Sequence, residues 1–185
     1  MKRLAFAVLM LCAAHAGART KDPLPTHCRA GEHALVDAWF GPLDYEATGI
    51  ERFLEGGKLL SLCADRREEP FSKIAYRYGK LGKPEMEAIA TPASRAGIFN
   101  RQTTPHTGQD IVFFQNGAYT YYVVIAGGQA HGVTLLAFKG EQKLTERFSG
   151  LDQGIAYQTG PAELRTWERR SLSPVTTWMQ PPHRF

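Results

Sequence analysis

The chain has 185 residues, 43% of them hydrophobic and 22% charged, an ordinary globular composition that excludes a disordered or fibrous protein. Its formal charge of +4 falls to +2 without Lys2 and Arg3, and acidic residues interleave with the basic ones, as in Arg66-Arg67-Glu68-Glu69. Nothing here forms an electrostatic footprint for nucleic acid, and no nucleic-acid partner is expected.

In chain order the first element reads as an export signal. Met1-Lys2-Arg3 is a positive leader, Leu4 to Ala14 is apolar and uncharged, and Ala14-His15-Ala16-Gly17-Ala18 offers cleavage after Ala16 or Ala18. The apolar run is shorter than the roughly 20 residues a bilayer span needs, and no later segment approaches that length, so no membrane span is expected. Leu11 stands before Cys12, where lipoprotein processing wants a small residue. Removing 18 of the 185 residues leaves 167, Arg19 to Phe185, one domain's worth, expected in the periplasm.

Residues 19–150 read as a mainly-β domain. Arg19 to Glu32 is rich in Pro, Lys and Gly and reads as an extended lead-in. Cys12 leaves with the signal, so Cys28 and Cys63 remain; an even pair in an oxidising compartment predicts one disulfide. Ala34 to Phe40 reads as a strand or a short helix, ended by Gly41-Pro42. Lys58 to Ala64 reads as a strand. Lys73 to Gly79 alternates, with Ile74, Tyr76 and Tyr78 on one face and Lys73, Ala75, Arg77 and Gly79 on the other. Gly79 to Pro84 is turn chemistry, and Glu85 to Ala90 pairs back as the next strand.

Thr91 to Gln109 is long for a connection and lacks an obvious element of its own; such a loop is either functional or a floppy insertion, here with Phe99 tucked into the domain edge. It carries Arg95, Ile98, Phe99, Arg101 and His106, the candidate partner-binding residues, because arginine and aromatic side chains dominate interface hot spots. From Asp110 to Ala126 two β-branched and aromatic runs, Ile111 to Phe114 and Tyr119 to Ile125, flank Gln115-Asn116-Gly117-Ala118, a hairpin signature. Gly132 to Phe138 and Lys143 to Phe148 follow as strands. The fold class expected is mainly β: an antiparallel meander forming a small sandwich or barrel-like sheet, with at most short helices near the C-terminus. Leu151 to Phe185 reads as a partly flexible extension with one short helix, Pro161 to Arg169.

Chemical motifs are weak throughout. Cys28 and His33 lack further ligands at zinc spacing, and no metal or cofactor is expected. His106 and Asp110 have no nucleophile in a suitable turn beside them. Glu85 and Glu87 read as solvated charges rather than a glycosidase pair. Tyr76, Tyr78, Tyr119 and Tyr121 read as cross-strand packing rather than a sugar platform. The expectation is a protein that is not an enzyme.

Ser61-Leu62-Cys63-Ala64, Tyr76 to Glu85, Phe114 to Tyr121 and Gly132-Val133-Thr134 together resemble a group of small, poorly characterised exported bacterial β-rich proteins, over Leu60 to Gly150. In that pattern a second cysteine often sits late in the meander. Here Leu144-Thr145-Glu146-Arg147-Phe148 stands in its place, so any disulfide is reorganised to Cys28. In architecture the chain is also similar to periplasmic lysozyme inhibitors and to immunity proteins against secreted effectors. These likenesses imply a periplasmic binding protein that neutralises an envelope-acting enzyme. Its partner is then a protein, a secreted or periplasmic wall- or envelope-degrading enzyme. The alternative is a non-catalytic envelope structural, adaptor or glycan-binding module.

Overall fold

The computed structural model describes residues 23–68, 71–91, 94, 96–104, 107–128 and 131–161, with side chains not described over 96–107. The expected signal segment, the expected helix beyond Pro161 and the C-terminal end lie outside the described residues.

The described residues form ten strands. They are β1 (His33–Phe40), β2 (Lys58–Ala64), β3 (Ile74–Lys80), β4 (Lys83–Ala90), β5 (Ala96–Thr104), β6 (Thr107–Asn116), β7 (Tyr119–Ala126), β8 (Gly132–Lys139), β9 (Gln142–Phe148) and β10 (Tyr157–Thr159). They build two five-stranded sheets, ordered β10-β1-β2-β3-β4 and β5-β6-β7-β8-β9, and the neighbouring strands are antiparallel. The chain thus runs up and down through each sheet of the described residues. It changes sheet at two seams, β4 to β5 and β9 to β10. Among the described residues no helix is long and apolar enough to cross a membrane.

Strand alternation sends one set of side chains between the sheets. The first sheet contributes Val36, Ala38, Phe40, Leu60, Leu62, Ile74 and Tyr76; the second contributes Val112, Phe114, Val123, Val133 and Leu135. Each large apolar side chain buried there stabilises the fold by roughly 1.5–3 kcal/mol. Tyr76 lies 5.6 Å from Phe114, ring to ring, and ties the two sheets together. The expected packing role of the tyrosines holds for Tyr76, which is fully buried, and for Tyr78 and Tyr121, which pack against the same cluster.

Several expectations are sharpened or corrected. Ala34 to Phe40 is strand, not helix, and a bulge between Ala34 and Val36 turns both Leu35 and Val36 inward. Strand β6 runs through Asn116, which pairs with Tyr119, so the turn is Gly117-Ala118. Gly117 has φ +59, a conformation glycine adopts without the steric penalty of a Cβ. Thr91 to Gln109 is not a long loop. It holds the whole of β5, an edge strand paired along its length with β6, and the start of β6 itself. Past Gly150, β10 pairs with β1, so the domain extends into the expected extension.

The two seams differ. At β9–β10 the chain is fastened: Ser149 N–H donates to Val133 O at 2.9 Å, Val133 N–H donates to Ser149 Oγ at 3.0 Å, and Trp39 N–H donates to Ala156 O at 2.8 Å. At β4–β5 a cleft of about 300 Å³ remains, lined by Glu87, Ala88, Ile89, Ala90, Ser94, Phe114, Gln115 and Asn116.

Candidate functional site

The outward face of the first sheet carries Asp37, Ser61 and Arg77, all buried, beneath the extended segment 23–32. The predicted disulfide forms: Cys28 and Cys63 are bonded, with Cα atoms 5.4 Å apart, and it pins this segment to β2. A disulfide-bonded Cys28 is no zinc ligand, which removes the Cys28–His33 pair as a metal site. Arg77 is fully buried, and its donors are turned to protein acceptors. Nη1 and Nη2 clamp Glu32 at 2.5 and 3.0 Å, Nε donates to Glu87 at 2.9 Å, and Nη1 also reaches His27 O at 3.2 Å. The fork geometry of guanidinium suits this bidentate grip. The Arg77 hydrogen bonds hold the Glu32 carboxyl down to about 2, against an ordinary value of 4.5. Lys73 and Arg29 complete the network on Glu32 and Glu87.

Beside it, Ser61 Oγ donates to Asp37 Oδ1 and accepts the His27 backbone N–H at 2.9 Å. Serine, histidine and aspartate meet here, but the imidazole does not hold the hydroxyl, and Ser61 is wholly buried. A nucleophile needs its base on the hydroxyl and a path for substrate, so this trio is structural. Burial raises the Asp37 carboxyl and lowers the His27 imidazole from their ordinary values. Sequence reasoning missed this cluster entirely.

The other expected pairs separate. Glu85 binds Lys58 and Glu87 binds Arg77 and Arg29, so the two carboxylates serve different ion pairs. Tyr119 is partly exposed and stacks on Tyr121 with ring centres 6.4 Å apart, while Tyr76 offers no surface to a sugar. Asp110 lies in β6 opposite Asn100.

Of the candidate partner-binding residues, Ile98, Phe99 and Arg101 fall on β5, in register with Val112, Ile111 and Gln109. Arg95 and His106 lie outside the described residues. No protein-family model, curated protein or solved structure matches this chain. The site therefore rests on geometry alone.

Geometry separates the four sheet edges. An unpaired edge invites another strand, and proteins guard edges with charge, proline or shortness. Strand β10 has only three residues. Strand β4 carries Lys83, Pro84, Glu85 and Glu87 along its eight residues. Strand β9 carries Lys143, Glu146 and Arg147 in seven. Strand β5, Ala-Gly-Ile-Phe-Asn-Arg-Gln-Thr-Thr, has one charge in nine residues and no proline. It begins beside the open seam. There the buried Gln115 Oε1 has no hydrogen-bond partner among the described residues, and Ile89 of β4 is half exposed. The least guarded edge and the open cleft are adjacent.

Proposed function

We propose that this protein is a non-catalytic periplasmic binding domain that neutralises an envelope-acting enzyme, either as an immunity protein against a secreted effector or as a lysozyme-type inhibitor. The supporting observation is the β5 edge, long, nearly uncharged and beside the open seam. A partner strand pairs with its backbone, which supplies affinity, while Ile98, Phe99 and Arg101, with Arg95 and His106 flanking, supply selectivity. Wall-cleaving enzymes keep paired carboxylates in a cleft, and an arginine presented there forms bidentate hydrogen bonds that exclude substrate. The disulfide suits an oxidising compartment. An envelope adaptor is the second reading, because the same edge can pair with a structural strand that has no activity to block.

The test is inhibition and binding against a panel of purified wall-degrading hydrolases and secreted effectors. A complex should form that blocks hydrolysis. Phe99→Ala or Arg101→Glu should weaken it by about 2 kcal/mol, roughly 30-fold, at a temperature where both variants are folded. Binding without inhibition favours the adaptor. Unchanged affinity in both variants removes β5 as the interface, and binding of wall fragments alone replaces the inhibitor reading with a glycan module.

A further inference from the structure

Phe40 pairs with Lys58, so residues 41–57 leave the first sheet and rejoin it at one point. The excursion is not slack. Leu43 bridges Phe53, Asp44 N–H donates to Arg52 O at 2.9 Å, and Leu54 N–H donates to Pro42 O at 3.3 Å, which closes it as a short second hairpin. The Glu46 and Ala47 N–H groups both donate to Asp44 Oδ1, at 2.9 and 3.3 Å. Its root is the core. The Phe53 ring stands edge-on to buried Trp39 with centres 5.2 Å apart, and Trp39 Nε1 donates to Pro42 O at 3.0 Å. A loop held in this way meets a partner at little ordering cost.

Tyr45 and Ile50, 62% and 61% exposed, are the most exposed large apolar side chains among the described residues, and Leu54 is 41% exposed. Each is followed directly by an exposed glutamate: Tyr45-Glu46, Ile50-Glu51 and Leu54-Glu55. Leu151-Asp152, from the connection before β10, repeats the pattern. Tyr45 Oη donates to Asp152 Oδ2 at 3.0 Å and joins the two loops. Among the described residues Glu46, Glu51 and Glu55 form no ion pair, unlike Glu32, Glu85, Glu87 and Glu146. Residues 41–57 hold Asp44, Glu46, Glu51 and Glu55 against Arg52 alone, a net charge of −3 in a chain whose formal charge is +4. Apolar anchors within a charged rim are the anatomy of a protein interface.

We propose that loop 41–57, with Leu151 and Asp152, is a docking surface for a cationic protein, one that sets lysine or arginine side chains around an apolar hollow. The charge selects this occupant. Bilayers and nucleic acids present anionic groups and are repelled. The carboxylates do not gather on a metal ion, because no three potential ligands come together among the described residues. A second copy meeting the same loop face to face would set like charges against each other. A cationic surface instead gains at each carboxylate, and Tyr45, Ile50 and Leu54 lose their wet area to it. The loop belongs to the first sheet and β5 edges the second, so the proposal stands apart from strand pairing at β5.

The probe is a fluorescent peptide of alternating lysine and leucine, titrated at low salt into the mature chain from Arg19 to Phe185. Control peptides replace every lysine by glutamate or every leucine by serine. The lysine–leucine peptide should bind, the controls should not, and added salt should weaken the complex. Tyr45→Ser with Leu54→Ser should weaken it about tenfold, and Glu46→Gln, Glu51→Gln and Glu55→Gln together about as much. The melting temperature should hold, because these side chains are exposed. Phe99→Ala, on the β5 edge, should leave this binding unchanged. No binding, or equal affinity in both loop variants, would overturn the proposal. So would tight binding of the glutamate–leucine peptide, which removes charge as the selector, or of the lysine–serine peptide, which removes the apolar anchors. Dimerisation of the wild type, abolished by Tyr45→Ser, would assign the surface to a second copy and overturn it as well. If the serine variant does not fold, the glutamine variant decides.

Discussion

The sandwich has two outward faces, and different chemistry closes them. On the first sheet the cover is segment 23–32, held by directional contacts: a disulfide, the Arg77 clamp on Glu32, and the Asp37–Ser61 pair. On the second sheet the covered surface is Ile111, Phe113, Tyr122, Val124 and Leu136, with no charged group in the cluster. Directional contacts fix one register, because a slipped segment leaves buried charges unmatched. Apolar contact is forgiving of register and releases without stranding a charge. The first face is closed by contacts that hold a single register, whereas the cluster on the second is apolar.

The comparison breaks hardest at Arg77. Arg77→Ala leaves Glu32 of the strap and Glu87 of β4 without their shared cation and should destabilise the fold by about 3 kcal/mol. Chemical denaturation measures it. The same position sets an acid response. Glu32 falls from an ordinary 4.5 to about 2 on folding, so its contribution is fully present above pH 4.5 and is lost as pH falls toward 2. The wild type should therefore lose about 3 kcal/mol across that window, and Arg77→Ala should lose much less. An equal loss in both would remove the clamp as the cause.

Next is the covalent link. Replacing Cys28 and Cys63 by Ser opens a loop with a separation of 35 residues and should lower stability by roughly 3–4 kcal/mol in the chain-entropy account. For a domain of this size that is on the order of 10 °C in melting temperature. The smallest effect sharpens the comparison on the other side. Ile111→Val should cost about 1 kcal/mol, the value of a core position, if its face is closed in solution. A loss of only a few tenths would mean that water reaches Ile111.

How much of this was legible in the sequence follows from where each signal lives. Strands β6 and β7 announce themselves because Ile111 to Phe114 and Tyr119 to Ile125 are β-branched and aromatic around a glycine turn. Alternation from Ile74 to Tyr78 placed Tyr76 in the core. Strand β5 was illegible because Gly97, Asn100 and Gln102 give it little intrinsic preference; pairing with β6 makes it a strand. Arg77 was misleading for another reason. Its outward position in β3 is the pattern of a solvated residue, and the groups that bury it, His27 and Glu32, stand 50 and 45 residues earlier. A period-two pattern reports the face of a sheet and cannot report what covers that face. The candidate partner-binding residues read as a loop from the sequence, and Ile98, Phe99 and Arg101 stand on an edge strand instead.

Strand β10 has a consequence for the order in which the molecule assembles. Its Gln158 side chain bonds Leu24 through both amide atoms, across 134 residues, and reaches Asp37 across 121. Contacts this distant in sequence form late, after the hairpins between β2 and β9 have shortened the path between them. Until then β1 has one partner, and the N-terminal strap lacks the Gln158 contacts that hold Leu24. The two ends of the described chain therefore close as a single latch, so that loosening one loosens the other.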